Sequence, residues 1–280
     1  MKNTKMNRYK FIDEGKQHLH TLDGKPLIGT STALQVLARP LTWWASGLAV
    51  QELGWIKKLD TRKSTKEECA KNAIERRERA SEMKTKIESM SPEDYLNLLD
   101  CGYKAHSVKL DKSADKGVDM HAELEKYVLE CLNLSLGIPC ETESIHPSVQ
   151  IFSKWAVENV KRFIASEGYC YSEELWVGGI FDLLLEMKNG DIVLMDFKSS
   201  KEAYMSQFFQ CGGYDLQITE NGILDKDGNE MQRLEKPITS YAIFPFGAEK
   251  PEPKFHYNTK EAQDGFLAAL ALHKILSKTD

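Results

Sequence analysis

The order of apolar and polar positions predicts a chain that begins with a short hairpin and continues as helices. Residues 8–28 alternate between polar and apolar side chains and contain glycine turns, which is typical of a β-hairpin. Thr30 or Ser31 has the residue type of a helix N-cap, and the helix that it starts is interrupted before Pro40. Residues 65–90 are mainly charged, helix-favouring residues, so they predict a longer helix.

Three further helices are predicted downstream. Ser91 followed by Pro92 is typical of a helix start, because serine caps the first turn and proline tolerates its first position. Lys116 and Gly117 predict a break in that helix, after which the sequence GVDMHAELEKYVLECL predicts a new one. The last of the three is predicted over residues 147–165, where a proline is followed by spaced apolar residues.

The pattern changes near Tyr169, where three consecutive strands are predicted. Their sequences are CYSEELWV, GIFDLLLEM and DIVLMDFK, and the runs LLL and IVLM do not alternate with polar residues. Strands of that kind are buried on both faces of a sheet. Residues 201–218 then predict a helix, 219–237 an exposed hairpin, 238–246 a strand and 259–276 a closing helix. The sequence therefore predicts an α/β core with a helical N-terminal elaboration.

The distribution of charge adds a second division of the chain. Basic residues outnumber acidic ones in residues 1–110, acidic residues outnumber basic ones in residues 111–280, and the net charge is −5. Charged helices of this kind are usually solvent-exposed surfaces. The alternative is a basic flank that leads an anionic polymer to an acidic, metal-binding centre. We expect residues 1–110 to pack on a core formed by residues 111–280, as one continuous domain.

The composition excludes several classes of protein. An apolar fraction of 41% and a charged fraction of 28% in 280 residues are typical of a folded globular chain, and no apolar stretch approaches the length of a membrane span. The N-terminus has no apolar signal segment, and the six cysteines are too far apart for a C-x-x-C motif. We therefore expect a cytoplasmic protein with free thiols and no membrane association. P-loop and G-x-S-x-G sequences are absent, which disfavours an ATP-driven motor and a serine hydrolase.

The candidate chemistry lies in the second and third predicted strands. Asp196 and Lys198 are two residues apart on one strand, so they project from the same face. A two-residue Asn-Gly turn would place Asp182 on the opposite face from Asp196, whereas a three-residue loop, Lys188–Gly190, would place the two aspartates opposite each other. We expect the three-residue loop, because its glycine then stands where a left-handed conformation is needed and the two carboxylates meet.

Two carboxylates on neighbouring strands form a hard-oxygen site that suits Mg²⁺ or Mn²⁺. A lysine beside them can orient or help to deprotonate a water molecule, or neutralise charge that develops on a phosphate. The alternative is a surface pair of carboxylates with a lysine counter-ion at a sheet edge. These groups interrupt apolar strands, where unpaired charge is unfavourable, and this leaves the metal site about as well supported as the alternative.

The same segment resembles the core of PD-(D/E)XK nucleases. Asp182 matches the first acidic position, and Asp196-x-Lys198 matches the second half of the motif. Because the motif spans only a few residues, it is weak by itself.

Two further segments resemble the RecB-like branch of that superfamily. GVDMHAELE has the form G-x-x-x-H-x-x-L-E of an early helix and provides Gly117, His121 and Glu125. QCGGY has the form Q-x-x-x-Y of the helix after the catalytic strands and provides Gln210 and Tyr214. All segments occur in the expected order, and the opening GKPLIGTSTAL is similar to the N-terminal part of phage-type and organellar relatives.

The resemblance implies a restriction-endonuclease-like fold, with a mixed central sheet flanked by helices. The implied site residues are His121, Asp182 and Asp196 for metal binding, Asp182, Asp196 and Lys198 for catalysis, Gln210 and Tyr214 for lining the site or contacting nucleic acid, and Glu125 as a brace for His121. Each of the helix residues also suits ordinary packing or surface exposure. Glu173 or Glu174 is the acidic residue expected ahead of the G-x-x-D strand, and His18 and His20 are expected at the surface.

The implied activity is hydrolysis of DNA by an exonuclease of phage or prophage origin that acts in recombination or DNA processing. A structure-specific endonuclease of the same fold and a non-catalytic DNA-binding or assembly subunit are the alternatives. The implied cofactor is Mg²⁺ or Mn²⁺, without a nucleotide cofactor. An iron–sulfur cluster of the kind found in many relatives is excluded because no cysteine follows Cys211. DNA is the expected partner, and a homo-oligomer or a recombination partner protein is left open.

Overall fold

A computed structural model describes residues 8–14, 17–38, 42–144 and 146–278, without the side chains of residues 14, 17 and 111–119. The helices are α1 Thr30–Ala33, α2 Thr42–Glu52, α3 Lys66–Glu88, α4 Pro92–Ser135, α5 Pro147–Asn159, α6 Met205–Asn221 and α7 Thr259–Leu276, with a 3-10 turn at Leu34–Leu37. The strands are β1 Tyr9–Glu14, β2 Gln17–Leu22, β3 Lys25–Pro26, β4 Ile28–Gly29, β5 Val160–Ser172, β6 Val177–Met187, β7 Ile192–Lys198, β8 Ile223–Leu224, β9 Glu230–Gln232, β10 Ser240–Pro245 and β11 Lys254–His256. Among the described residues, no helix combines the length and the apolar character needed to cross a membrane.

The strands form two sheets. β1, β2 and β3 make a small antiparallel sheet, as the predicted N-terminal hairpin requires. The larger sheet has eight strands, with the order β11-β10-β7-β6-β5-β8-β9 and with β4 paired to β6. β10 is parallel to β7 and β4 is parallel to β6, while the other neighbours are antiparallel. The protein therefore has a mixed α/β fold built on a mixed sheet.

Helices cover both faces of the central strands. Leu183 of β6 is fully buried in a core that includes Leu124 of α4 and Phe152 of α5. Its neighbour Leu184 points to the opposite face, where it is buried in a core that includes Phe208 of α6. Since successive side chains of a strand alternate between faces, the unbroken apolar runs are explained by burial on both sides, as predicted.

The connection between β6 and β7 has the predicted register. Leu183 pairs with Met195, so the loop between the strands contains three residues, Lys188–Gly190. The glycine of this loop has φ = 92°, a left-handed conformation that favours glycine. Asp182 and Asp196 consequently occupy opposing positions on the two strands.

One edge of β6 is shared between two strands. β7 pairs with residues 183–186 on this edge, and β4 pairs with Val177 and Gly178. Residues 179–182 lie between the two partners and have no strand beside them on this edge in the described part of the chain. On this edge, the backbone of residues 179–182 can therefore contact side chains instead of a neighbouring strand. Asp182 is the last residue of this unpaired segment.

The chain divides into two compact units. One consists of Met1–Ala38 with Gly117–Asp280 and contains both sheets, and the other is Arg39–Lys116, with α2, α3 and the first part of α4. The contacts thus group the N-terminal hairpin with the large sheet. The expected division placed the hairpin with residues 1–110, whereas the contacts group it with Gly117–Asp280.

Several predicted element limits are confirmed. α7 spans Thr259–Leu276, as predicted. Thr65 caps α3, because its hydroxyl accepts a hydrogen bond from the backbone N–H of Glu68. The Ser91 hydroxyl caps α4 in the same way, and α5 begins at Pro147.

Two predictions about helices in the first half are wrong. The N-cap of α1 is Gly29, not Thr30 or Ser31, because the Thr30 hydroxyl is buried and donates a hydrogen bond to the Gly178 carbonyl at 3.1 Å. The predicted break at Lys116 and Gly117 does not occur, since α4 runs through both residues. One glycine costs a helix only about 1 kcal/mol, which the hydrogen bonds of a 44-residue helix readily offset.

The start of β5 also differs from the prediction. We expected a helix as far as residue 165, but β5 begins at Val160 and pairs with β6 from there onward. Val160 and Phe163 are both buried. A spacing of three residues suits one face of a helix, and it also suits a strand whose register shifts. The register of β5 shifts within this segment. The local sequence does not distinguish helix from strand here, and pairing with β6 makes the segment a strand. The predicted interruption before Pro40 lies outside the described residues.

His20, which we expected at the surface, is buried. Its Nδ1 lies 2.6 Å from the Tyr9 hydroxyl, and its side chain is 8% exposed. Gly178 of β6 makes room for it, because a Cβ at that glycine would lie 2.8 Å from the Cβ of His20. Burial lowers the pKa of His20 to about 4. His18, by contrast, is exposed as predicted.

Candidate metal centre

The candidate site begins where β6 and β7 separate. The last pair of the ladder is Leu183 with Met195, and Asp182 lies one position beyond it. The carboxylate of Asp182 accepts a hydrogen bond from the backbone N–H of Phe197 at 2.6 Å. A side chain therefore takes the place of a ladder hydrogen bond, and this fixes the Asp182 carboxylate at the opening between the strands.

Asp196 and Lys198 form an ion pair on β7, in which the carboxylate is buried and the lysine is half-buried. Asp196 is 1% exposed, and the Lys198 ammonium contacts one of its oxygens. Burial raises the pKa of Asp196 to about 7, while the charge of Lys198 opposes this shift. Burial by itself would lower the pKa of Lys198, but the charges of Asp196 and Asp182 raise it above its usual value, so the lysine stays protonated.

His121 reaches this point from α4. Its Nε2 lies 2.9 Å from the Asp182 carboxylate, and its Nδ1 lies 3.6 Å from the carboxylate of Glu167. The edge of the imidazole packs against the Phe197 ring, with the centroids 5.7 Å apart. Burial lowers the pKa of His121, but the hydrogen bond and charge of Asp182, with the charge of Glu167, outweigh it and raise the pKa to about 9.

Glu167 of β5 was not predicted as a site residue. It has φ = 49°, a left-handed conformation that is strained for a non-glycine residue inside a strand. One of its carboxylate oxygens, Oε1, is buried and has no hydrogen-bond partner in the described part of the chain. Burial and the charge of Asp182 raise the pKa of Glu167 to about 8, although His121 opposes the shift.

The expected acidic residues ahead of β6 lie elsewhere. Glu173 forms an ion pair with the guanidinium of Arg8 at 2.9 Å. The backbone N–H groups of Glu173 and Glu174 both donate to the carboxylate of Glu220. Glu167, which lies between the predicted helix over residues 147–165 and the first predicted strand, is the acidic residue beside His121. No feature of the local sequence singled it out.

The structure brings two of the three predicted metal ligands together. Ligand atoms of His121, Glu167 and Asp182 all lie within 4.8 Å of one another. Asp196 does not belong to this tight group, but its charge affects the pKa values of both His121 and Glu167. Two carboxylates and an imidazole suit a divalent cation, and the buried Oε1 of Glu167 has no hydrogen-bond donor among the described residues. The residues therefore fit Mg²⁺ or Mn²⁺.

The predicted contact between Glu125 and His121 is not observed. Within the described residues, His121 has its close charged contacts with Asp182 and Glu167 instead. Glu125 lies close enough to Glu167 for its charge to raise the pKa of that carboxyl. Glu125 and His121 are one helical turn apart on α4. The carboxylate beside the imidazole nevertheless belongs to Glu167, the residue with the left-handed backbone. Gly117 lies in α4, in the segment whose side-chain surroundings are outside the described residues.

Gln210 and Tyr214 contact each other on α6, as their spacing predicts. The Gln210 amide donates a hydrogen bond to the Tyr214 hydroxyl at 2.7 Å. Burial, with the charges of Asp196 and Asp182, raises the pKa of Tyr214 well above its usual value, so the phenol is neutral and near both carboxylates. Gly179 of β6 provides the space, because a Cβ there would lie 2.5 Å from the Tyr214 ring.

No protein-family model matches this chain, and no curated protein matches it.

Proposed function

We propose that the protein is a nuclease that depends on a divalent metal ion and hydrolyses phosphodiester bonds in DNA. The proposal includes a restriction-endonuclease-like core and an exonuclease activity in DNA recombination or processing, as in the phage and prophage enzymes that the motifs resemble. Mg²⁺ or Mn²⁺ would be the cofactor.

The observation that supports the proposal is the meeting of charged residues from four elements at one point of the sheet. His121 of α4, Glu167 of β5 and Asp182 of β6 form one group, and Asp196 with Lys198 of β7 lies at the same opening. Burying several charges is unfavourable unless they are paired or bind a cation, and perturbed charged groups of this kind are concentrated at functional sites. The residue types are those that phosphodiester hydrolysis uses, namely carboxylates, an imidazole and a fixed positive charge.

The residues of the chain divide the work of hydrolysis. His121, Glu167 and Asp182 would hold the divalent ion, which supplies Lewis acidity and lowers the pKa of a water molecule when bound. Lys198 carries a positive charge that can orient water and stabilise charge developing on the phosphate. Asp196 fixes the position of the Lys198 ammonium.

The decisive experiment compares end-labelled linear DNA with closed circular DNA, with Mg²⁺, with Mn²⁺ and with EDTA. Release of nucleotides from linear DNA alone would support an exonuclease, and nicking of circles would indicate an endonuclease of the same fold. Asp182→Asn should be inactive in both assays. Binding without cleavage under all conditions would contradict the proposal and favour a non-catalytic DNA-binding or assembly subunit.

A further inference from the structure

Three aromatic rings form a surface beside the metal centre, at the junction of the two sheets. The Phe11 ring of β1 stacks on the His18 ring of β2, with centroids 5.9 Å apart and an interplanar angle of 7°. The ring of Tyr169 of β5 lies 5.1 Å from Phe11 at an angle of 52°. We call Phe11, His18 and Tyr169 the aromatic surface.

The aromatic surface is open to solvent where the rest of the same hairpin face is buried. Tyr9 and Leu22 point to this face and are almost completely buried against the large sheet. Phe11 lies further along β1 than Tyr9, and His18 lies near the start of β2. Phe11 is half-buried, and the side chain of His18 is 66% exposed. Packing between the sheets accounts for Tyr9 and Leu22, and it leaves Phe11, His18 and Tyr169 partly exposed.

Tyr169 connects the aromatic surface to the metal centre. It lies two residues from Glu167 on β5, and its hydroxyl is close enough to Glu167 and Glu125 for their charges to act on it. The hydroxyl forms no hydrogen bond with any other residue in the described part of the chain. A phenol in that position can donate a hydrogen bond to a ligand that also reaches the metal centre.

A lysine lies at the side of the aromatic surface. The backbone N–H of Phe11 donates a hydrogen bond to the carbonyl of Lys226 at 3.1 Å, and the Lys226 side chain is exposed. Its ammonium forms no ion pair with the described residues. Partly exposed rings, with an exposed lysine on the backbone segment that adjoins Phe11, match the two parts of a nucleotide, which are a flat base and an anionic phosphate.

We propose that the aromatic surface stacks the unpaired bases of single-stranded DNA at the entrance to the metal centre. The proposal rests on the proposed nuclease function and specifies its substrate as a single-stranded segment or a frayed end. In a duplex the base faces are covered by neighbouring base pairs, whereas in a single strand they are free to stack on aromatic side chains. Duplex DNA would therefore need to open before it reaches Glu167 and Asp182.

The test measures binding of a single-stranded oligonucleotide that carries 2-aminopurine, a fluorescent base that is quenched on stacking. Titrations in Ca²⁺, with gels to monitor cleavage, compare the wild type with Phe11→Ala, Phe11→Leu and Phe11→Trp. Loss of one stacking ring should weaken binding by about 5- to 100-fold and reduce the quenching for Ala and Leu. Phe11→Trp should restore both, because it supplies a ring. Phe11→Leu keeps apolar volume and remains informative if Phe11→Ala destabilises the hairpin.

Ile12→Ala is the matched control, since Ile12 is the next residue of β1, points to the other face and is 37% exposed. It should bind like the wild type. Blunt duplex DNA should bind equally to wild type and Phe11→Leu. The proposal is overturned if Phe11→Leu binds and quenches as the wild type does, or if it loses duplex binding to the same extent. Quenching without any cleavage by the wild type would leave the aromatic surface in place and contradict the nuclease function alone.

Discussion

At the scale of single residues, Asp196 and Lys198 should have separable roles. Asp196→Ala removes a carboxylate near the metal centre, so divalent-ion affinity and cleavage should fall together. Lys198→Ala removes a nearby positive charge, so ion affinity should persist or rise, while cleavage should fall by roughly 100- to 1000-fold. Calorimetric metal titration beside a nuclease assay measures both quantities. The control is Lys201→Ala, because Lys201 is exposed. Near wild-type cleavage by Lys198→Ala would identify Lys198 as a structural counter-ion.

The left-handed backbone of Glu167 allows its conformational strain to be separated from its chemistry. Glycine adopts φ = 49° without strain and alanine does not. Glu167→Gly should therefore be more stable than Glu167→Ala by about 1 kcal/mol in the free energy of unfolding without metal, while both should lose affinity for Mn²⁺. Denaturant unfolding and metal titration measure the two effects. Equal stabilities of the two variants would show that Glu167 is not strained.

The buried His20 should make the protein less stable in mild acid. Its pKa is about 4 in the folded state because it is buried, and about 6.5 when the chain is unfolded. The unfolded state therefore binds the proton more readily, and stability should fall as the pH falls from about 6.5 towards 4. His20→Gln has no titrating group and should show a smaller loss of thermal stability over this pH window. His18→Gln removes an exposed imidazole whose charge makes a smaller contribution to the low pKa of His20, so it should reduce this loss by less than His20→Gln does.

At the scale of elements, two helical glycines should respond to alanine with opposite signs. A Cβ at Gly212 of α6 would lie 2.7 Å from the backbone of α7. Gly212→Ala should therefore destabilise the protein by about 1 to 3 kcal/mol, because backbone atoms of a neighbouring helix must move. Among the described residues, a Cβ at Gly47 of α2 would meet no atom within 4 Å beyond its own helical turns. Gly47→Ala should stabilise by up to about 1 kcal/mol, through helix propensity alone. Unfolding in denaturant, followed by circular dichroism, tests both, and equal effects would contradict this account of helix packing.

One feature that the sequence predicted correctly is decided locally, and another followed from the resemblance of motifs. The register of β6 and β7 follows from the glycine of the Lys188–Gly190 loop, since that residue must adopt a left-handed conformation. The position of His121 next to Asp182 followed from motif resemblance, because the two residues are far apart in the chain.

What the sequence did not predict depends on contacts between distant segments. Glu167 lies beside His121 and has a left-handed backbone within β5, and no local residue pattern indicates that conformation. His20 is buried because Gly178 lies opposite it, about 160 positions along the chain. Val160 begins a strand because β6 pairs with it, while its own apolar spacing also suits a helix.

At the scale of the whole molecule, DNA binding should depend steeply on salt. The net charge is −5, so the protein as a whole repels DNA, and attraction must come from local groups of basic residues such as those in the first 110 residues. Each lysine or arginine that contacts a phosphate releases counterions, so the dissociation constant should rise by tenfold or more between about 50 and 200 mM salt. Fluorescence anisotropy at several salt concentrations measures the slope. A nearly constant affinity would contradict an electrostatic basis for binding.

The pairing of β4 with β6 has a consequence for the order in which the protein folds. Ile28 lies beside Val177, so the ribosome must add about 150 residues before the early strand meets its partner. At about 5 to 20 residues per second, the N-terminal segment waits roughly 10 to 30 s during synthesis. Contacts of such long sequence separation also form slowly in a complete chain. The strand edge next to Asp182 therefore cannot close before β6 has been synthesised, and a nascent chain acquires the candidate metal centre only after Asp182 and Asp196 have been added.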